Sequence, residues 1–273
     1  MKISEYINPF DINELRKSVR ETEPFAYFCI DDFLVIGFAE EILKSFPSYE
    51  EGASTGKEYN SVNEKNKICI ADSELFPDTI KQLNEILASA EFIKMVSDVF
   101  EIDGLVADPT LLGGGIHETK EGGRLDVHID FNYMKRSKLF RRLNILVYFN
   151  KDWHKDYGGV LDLWDKDVKN CMAEILPVFN RVVCFATNEY SYHGVTPIHA
   201  LEGTTRKSFA AYYYTKEPPH DWTGQEHDTV FKARPDEWMK KNVYMPVSST
   251  RKKIKKVRKS LKRKIKTALG LSK

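Results

Sequence analysis

Two histidines and one aspartate have the spacing of a metal site. His128 and Asp130 lie in the segment DVHIDF, and His193 follows 65 residues after His128 in NEYSYHGVTP. Alternate residues of a β-strand point to the same face, so the side chains of His128 and Asp130 can converge on one point. Two imidazoles and one carboxylate from two strands form a facial triad, which leaves three coordination positions of a metal ion open. The ligand set suits Fe(II), and Zn(II) or Mn(II) also fit it.

Arg206 and Ser208 predict an anion site on a later strand. They lie two residues apart in RKSFAAYYYT, so both face the same way in a strand. A guanidinium beside a hydroxyl suits a carboxylate, which accepts two parallel hydrogen bonds from arginine. A buried histidine alone is most often an ordinary core residue. The metal interpretation of His128 and His193 is favoured here because Asp130 and the Arg-Ser pair complete the set.

The part of the chain from residue 105 has the sequence pattern of an all-β domain. Short runs of β-branched and aromatic residues alternate with glycine- and asparagine-rich turns, at 115–117, 125–131, 143–149, 160–164, 182–186 and 208–215. This spacing predicts a β-sandwich or barrel. Arg141 and Arg142, near the third run, are expected to be solvated charges at a strand edge.

Residues 1–104 mix helix and strand signals and predict a supporting α/β region. Residues 24–30 are β-prone, and 38–46 have apolar residues at helical spacing. The polar stretch 48–66 predicts a long loop. The stretch beginning at Pro77 predicts two helices that break near Ser89.

The ordered set of motifs resembles the Fe(II)- and 2-oxoglutarate-dependent oxygenases. That family has HxD, then a distant histidine, then Arg-x-Ser on the following strand. The surrounding segments GGGIHETKEGGRLDVHIDF, RRLNILVYFN, YGGVLDLWD and SYHGVTP are similar to prolyl 4-hydroxylase-like members. The resemblance covers roughly residues 105–215 and extends more weakly to PFAYFCIDDFL near the N-terminus.

The resemblance implies a fold and a cofactor set. The fold would be mostly β with N-terminal helices: a double-stranded β-helix, or jelly-roll/cupin-like barrel, with α-helical support. Fe(II) would be bound by His128, Asp130 and His193. Arg206 would hold the C5 carboxylate of 2-oxoglutarate with help from Ser208. Two residues that share a strand face are predicted as further cofactor contacts, Asn144 and Tyr148. The resemblance also implies L-ascorbate as a further cofactor, since members of the family commonly depend on it.

Two departures place the chain away from the collagen-type enzymes. Leu125 stands where many prolyl hydroxylases have a tyrosine, three residues before the first metal histidine. Arg206 replaces the lysine common in the collagen branch. The nucleic-acid demethylase branch is disfavoured because Tyr212 stands where those members have a second arginine.

The resemblance therefore predicts a dioxygenase that hydroxylates a C–H bond and decarboxylates 2-oxoglutarate to succinate. The substrate would be a prolyl residue of a protein. Two alternatives stay open: hydroxylation of a small metabolite, sugar or lipid, and a catalytically silent barrel that acts as a binding module.

The charge distribution separates a basic tail from an acidic body. Residues 251–273 contain 12 Lys or Arg and no acidic residue, whereas residues 1–250 carry a net charge of −11. An apolar stripe at helical spacing runs along this tail through Ile254, Val257, Leu261, Ile265 and Leu269. Such a segment can bind an anionic membrane surface, nucleic acid or the acidic body, or remain solvated. We predict a support region at 1–104, an oxygenase core at 105–215, an extension at 216–250 and the basic tail at 251–273.

Composition excludes several classes of protein. The 273 residues are 42% hydrophobic and 12% aromatic, which excludes disorder of the whole chain. The cysteines form no CxxC pair, which disfavours a zinc ribbon or a disulfide scaffold and fits a reducing compartment. The N-terminus has no apolar run, so we expect no secretory leader. A cytoplasmic location is expected, peripheral to a membrane if the tail binds lipid.

Overall fold

Residues 2–245 are described by the computed structural model. The predicted basic tail, 251–273, lies outside these residues, and so does the end of the predicted extension. The residues up to Phe231 form one unit, and a second unit begins at Lys232. The described part of the second unit contains a π-helical turn at Lys240–Tyr244. The four-part division made from sequence stays a prediction. Among the described residues, every helix is too short or too polar to cross a bilayer.

Five α-helices flank the β-rich part of the first unit. Three begin at side-chain caps: Asp11 accepts hydrogen bonds from the backbone of α1, Ser48 forms a capping box with α3, and Ser89 caps α5. The α-helices are α1 Ile12–Glu21, α2 Ile36–Ser45, α3 Tyr49–Thr55, α4 Asp78–Leu87 and α5 Ala90–Phe100. Short 3₁₀ turns occur at Ile3–Glu5, Ser73–Leu75 and Lys155–Tyr157.

Thirteen strands are present in the described residues, and all of their pairings are antiparallel. They are β1 Tyr27–Ile30, β2 Lys57–Tyr59, β3 Glu64–Ile70, β4 Val106–Ala107, β5 Gly115–Ile129, β6 Tyr133–Met134, β7 Leu139–Tyr148, β8 Leu161–Trp164, β9 Cys171–Ile175, β10 Val182–Ala186, β11 His193–Val195, β12 Arg206–Thr215 and β13 Val230–Phe231. The main path runs β1-β10-β7-β12-β5-β11-β8-β9. The sheet curls through β5, so the strands form the two faces of a double-stranded β-helix, as predicted.

Strand alternation separates the helix-packed core from the barrel interior. On β7, Leu143, Ile145 and Val147 belong to the large hydrophobic cluster that includes α2, α4 and α5. The intervening Asn144 lies in a cavity on the opposite face, because successive side chains of a strand point to opposite sides. The same alternation along β12 places Arg206, Ser208 and Tyr212 inside the barrel and Phe209 and Tyr213 against the helices.

The predicted loop at 48–66 is wrong. The structure has α3, β2 and the start of β3 in this stretch. The capping box between Ser48 and Glu51 starts α3, and the β2–β3 hairpin then pairs with β5. The predicted helix break is confirmed, since α4 ends at Leu87 and Ser89 caps α5. The predicted strands 115–117 and 125–131 are joined in one long strand, β5.

Candidate active site

The three predicted metal ligands meet inside the barrel. His128 lies near the end of β5, Asp130 follows that strand directly, and His193 begins β11 opposite His128. The two carboxylate oxygens of Asp130 lie 3.6 Å from the two imidazoles, Oδ1 from His128 Nε2 and Oδ2 from His193 Nε2. One ligand atom from each residue lies within 4.8 Å of the other two. The donor set and its compactness fit a divalent metal ion held on one face.

Backbone carbonyls fix the tautomers of both imidazoles. His128 Nδ1 donates a hydrogen bond to the carbonyl of Asp126, and His193 Nδ1 donates to that of Ser191, each at 2.9 Å. A carbonyl only accepts, so each Nδ1 carries the proton and each Nε2 keeps a free lone pair toward Asp130. Burial, reinforced by the neighbouring His128, lowers the pKa of His193 to about 3, so this ring is a neutral ligand near pH 7.

Asp130 is held by two further side chains. Asn144 Nδ2 donates to Asp130 Oδ2 at 2.7 Å, and Arg141 Nη2 lies 3.2 Å from the same oxygen. Burial by itself raises the pKa of Asp130, but the charge of Arg141 and the two imidazoles outweigh burial and hold it well below its usual range. The carboxylate is therefore ionised and oriented.

Arg141 was expected at a solvated strand edge, and this expectation is wrong. The side chain is only 4% exposed and belongs to the site. Tyr213 pairs with Leu143 while Tyr214 pairs with Arg141, so Arg142 is an extra residue in β7. This β-bulge shifts the alternation by one, and Arg141 therefore shares the inward face with Asn144. In a strand without the bulge, Arg142 and not Arg141 would share the inward face with Asn144.

A cavity of about 620 Å³, including its mouth, joins the triad to Arg206. Arg206 is buried, its Nε donates to the carbonyl of Gly159 at 2.7 Å, and its guanidinium lies 4.9 Å from the Tyr148 ring centroid. Ser208 Oγ lies 3.5 Å from Arg206 Nη1. The structure thus places the predicted Arg-Ser pair on the wall of the same cavity as the triad.

Arg206 lacks a counter-ion among the described residues, and its Nη2 has no hydrogen-bond partner there. A buried cation without a counter-ion is costly, which favours binding of an anion at this point. 2-Oxoglutarate needs a cation for its distal carboxylate and a metal ion for its other end. The cavity offers both, so the residues present fit Fe(II) and 2-oxoglutarate.

Asn144 and Tyr148 lie close to the site in different ways. Asn144 lines the cavity, but its amide is bonded to Asp130 and Arg141. Tyr148 is fully buried, and its ring lies against the guanidinium of Arg206. Their roles as cofactor contacts stay predictions.

His117 on β5 is buried and also lines the cavity. Its Nε2 lies 2.9 Å from the carbonyl of Gly113. Burial lowers its pKa well below the usual range. Period-two alternation in the segment GIHET is the signal that places it inward.

Two further clefts are lined in part by Asp130. One, of about 380 Å³, is lined by Trp222 and Glu189, and the other, of about 590 Å³, is lined by Tyr59 and Phe231. Asp130, Phe131 and Arg141 line both clefts. Phe231 on β13 also packs on His128, with ring centroids 5.4 Å apart. The second cleft shares Leu125, His128 and Tyr212 with the cofactor cavity, so the triad is accessible from the clefts as well as from that cavity.

Comparison with known proteins agrees with this geometry. Residues 114–214 match the family profile described as the 2OG-Fe(II) oxygenase superfamily. The chain is 32% identical over 78 residues to prolyl 3-hydroxylase OGFOD1 of Mus musculus, covering 27% of this chain and 14% of that protein. It is 26% identical over 218 residues to prolyl 3,4-dihydroxylase OGFOD1 of Ostreococcus tauri, covering 73% of this chain and 40% of that protein. The chain thus spans less than half the length of these curated relatives.

Two solved structures share the fold at low sequence identity. The prolyl hydroxylase of Trichoplax adhaerens, solved with a peptide of hypoxia inducible factor, has a TM-score of 0.54 and 18% identity over 75% of this chain and 89% of that one. A Pseudomonas putida prolyl-4-hydroxylase has a TM-score of 0.52 and 14% identity, over 76% of this chain and 100% of that chain. The triad and the anion pocket lie within the matched segment: residues 114–214 match the 2OG-Fe(II) oxygenase superfamily, and the fold is similar to that of the two prolyl hydroxylases.

Proposed function

We propose that this chain is an Fe(II)- and 2-oxoglutarate-dependent dioxygenase that hydroxylates a C–H bond of a prolyl residue in a protein or peptide. One observation carries the proposal. The buried guanidinium of Arg206, with no counter-ion among the described residues, lines the same cavity as the triad of His128, Asp130 and His193. Bound Fe(II) and 2-oxoglutarate supply the oxidising chemistry, in which dioxygen, 2-oxoglutarate and substrate give succinate, carbon dioxide and hydroxylated product.

The side chains of the site orient the participants. Arg206 binds the distal carboxylate of 2-oxoglutarate by ionic hydrogen bonds, and Ser208 lies beside it. The carbonyls of Asp126 and Ser191 keep the two imidazoles in the ligating tautomer. Apolar cavity walls, including Leu146 and Phe185, exclude water around the bound co-substrate.

A peptide substrate is supported by the two clefts that meet at Asp130. An extended chain can enter by one cleft and leave by the other, with the reacting residue at their junction beside Phe131. The named activities of the relatives in mouse and Ostreococcus tauri support proline as that residue. L-Ascorbate is proposed as a reductant that keeps the iron in its ferrous state.

The cofactor site is tested anaerobically. Fe(II) and then 2-oxoglutarate are added to the protein, and the visible metal-to-ligand charge-transfer band is followed. The band should be absent in Asp130→Ala and should require more 2-oxoglutarate in Arg206→Ala. Arg142→Ala is the matched control, because this arginine lies on β7 and bonds Thr215 Oγ1 at 3.3 Å. Absence of the band in the wild-type protein contradicts the proposal.

The substrate is tested with proline-containing peptides. Succinate release and a mass gain of one oxygen on proline are measured, with and without ascorbate. Succinate release that small metabolites, sugars or lipids stimulate, and peptides do not, would replace the prolyl substrate by the small-molecule alternative. A charge-transfer band without turnover of any compound would favour the binding-module alternative.

A further inference from the structure

Three side chains form a closed triangle behind the metal site. Arg141 Nε donates to Asn144 Oδ1 at 2.9 Å, Asn144 Nδ2 donates to Asp130 Oδ2 at 2.7 Å, and Arg141 Nη2 lies 3.2 Å from that same Oδ2. Asn144 is 3% exposed and Arg141 4% exposed, so the triangle is shielded from water. Buried charge-assisted hydrogen bonds of this kind are short and orienting.

The triangle has a single orientation. Arginine nitrogens only donate, so the Asn144 oxygen must face Arg141 and the Asn144 amide nitrogen must face Asp130. Both donors then fall on Asp130 Oδ2. The other oxygen, Oδ1, receives no donor from this pair. Each oxygen also lies 3.6 Å from one imidazole Nε2, Oδ1 from that of His128 and Oδ2 from that of His193. The two oxygens of the carboxylate are therefore not equivalent.

The guanidinium is held in place from both sides. Its Cζ lies 3.7 Å from the centroid of the Tyr212 ring and 4.9 Å from that of Phe131. The Tyr212 hydroxyl donates to the carbonyl of Gly113 at 2.8 Å, which fixes the ring itself. Planar stacking and a fixed fork of donors are properties that lysine does not share.

We propose that Arg141 is a positioning residue. With Asn144, it clamps Asp130 Oδ2 and leaves Oδ1, which neither side chain contacts, as the oxygen that would be available to a metal ion. The inference rests on the proposed function for the presence of a metal ion. The clamp acts through Asp130 and does not itself touch the metal. Loss of a hydrogen-bonding partner of a metal ligand typically lowers metal affinity by about 10–100-fold.

The test is an anaerobic titration of the full-length protein with Co(II), followed by its visible d–d spectrum. Arg141→Gln should bind Co(II) about 10–100-fold more weakly and with an altered spectrum, because the released carboxylate can use both oxygens. Arg141→Lys keeps the charge and loses the fork, so its affinity should be restored only in part. Arg142→Gln, on the neighbouring residue, should bind like wild type.

Asn144→Ala removes the other arm of the clamp and gives an independent variant. If both arms act on one carboxylate, the effects of Arg141→Gln and Asn144→Ala should be non-additive in a double-mutant cycle. If circular dichroism shows that Arg141→Gln does not fold, the Co(II) titration of Asn144→Ala alone tests the clamp. Wild-type affinity and spectrum in the folded variant overturn the clamp, and so does an equal loss in Arg142→Gln. Absence of Co(II) binding by wild-type protein overturns the proposed function and the clamp together.

Discussion

Replacement of Arg206 by methionine should separate the stability of the protein from its affinity for 2-oxoglutarate. In wild type, 2-oxoglutarate at 1,000 times its Kd stabilises the folded state by about 4.1 kcal/mol. For a unit of this size, that corresponds to a rise in Tm of roughly 8–16 °C. The measurement uses Mn(II)-loaded protein and thermal unfolding, so that no turnover consumes the co-substrate.

The loss in Arg206→Met follows from the burial of its guanidinium. Truncating one partner of a buried, hydrogen-bonded charge pair costs about 2–5 kcal/mol. A loss of about 3 kcal/mol weakens 2-oxoglutarate binding roughly 150-fold. At the same ligand concentration the remaining stabilisation is about 1.2 kcal/mol, so the rise in Tm falls to roughly 2–5 °C.

Without 2-oxoglutarate, Arg206→Met should be about as stable as wild type. The substitution removes the hydrogen bond to the Gly159 carbonyl, a charged bond worth about 1.5–3 kcal/mol. It also removes a buried cation with no counter-ion among the described residues, which offsets that loss. Arg142→Met is the control and should keep the full ligand-induced rise. An undiminished rise in Tm for Arg206→Met would refute the assignment of Arg206 to the co-substrate.

Three further outcomes are expected. Asp130→Ala should destabilise the metal-free protein by about 3–5 kcal/mol in urea unfolding, because it leaves Arg141 buried without its carboxylate; no loss would contradict the ion pair. The hydrogen bond from Arg181 lowers the pKa of Asp31, so its stabilisation is present above the unfolded pKa of about 3.9 and is lost as pH falls through the lower folded value. Because Asp31 is exposed, the difference in unfolding free energy between Asp31→Asn and wild type should be under about 1 kcal/mol at pH 6. It should shrink as the pH falls below the unfolded pKa, and a pH-independent difference would exclude this linkage. Finally, the basic residues of 251–273 should drive salt-sensitive co-sedimentation with anionic vesicles, and replacing half of them by glutamine should abolish it; equal sedimentation of both proteins would exclude membrane binding by this segment.

Two pairs of candidate site residues were predictable because their spacing follows strand periodicity. His128 and Asp130 lie two residues apart at the end of β5, and Arg206 and Ser208 repeat this spacing on β12. Local alternation therefore orients each pair before any tertiary contact is known.

Arg141 was not predictable in this way. Its orientation depends on the bulge at Arg142, and two consecutive arginines give no local signal of which one turns inward. Only the pairing of β7 with β12 decides it, which is a tertiary property.

The error at 48–66 has a different cause. Polar composition suggested a loop, but Ser48 and Glu51 have the spacing of a capping box, which predicts a helix start. The β2–β3 hairpin is polar because much of it is exposed, and it is held mainly by pairing with β5. Amino-acid composition alone therefore fails to predict a strand that is stabilised mainly by pairing with a neighbouring strand.

The triad draws its ligands from strands of unequal length. β5 has 15 residues and pairs with β3, β11, β12 and β13, whereas β11 has three residues and pairs with β5 and β8. Local opening is easiest where few pairings must break. Amide protons around His193 should therefore exchange with solvent faster than those around His128. A metal ion held by the triad would therefore lose the His193 ligand more readily than the His128 ligand.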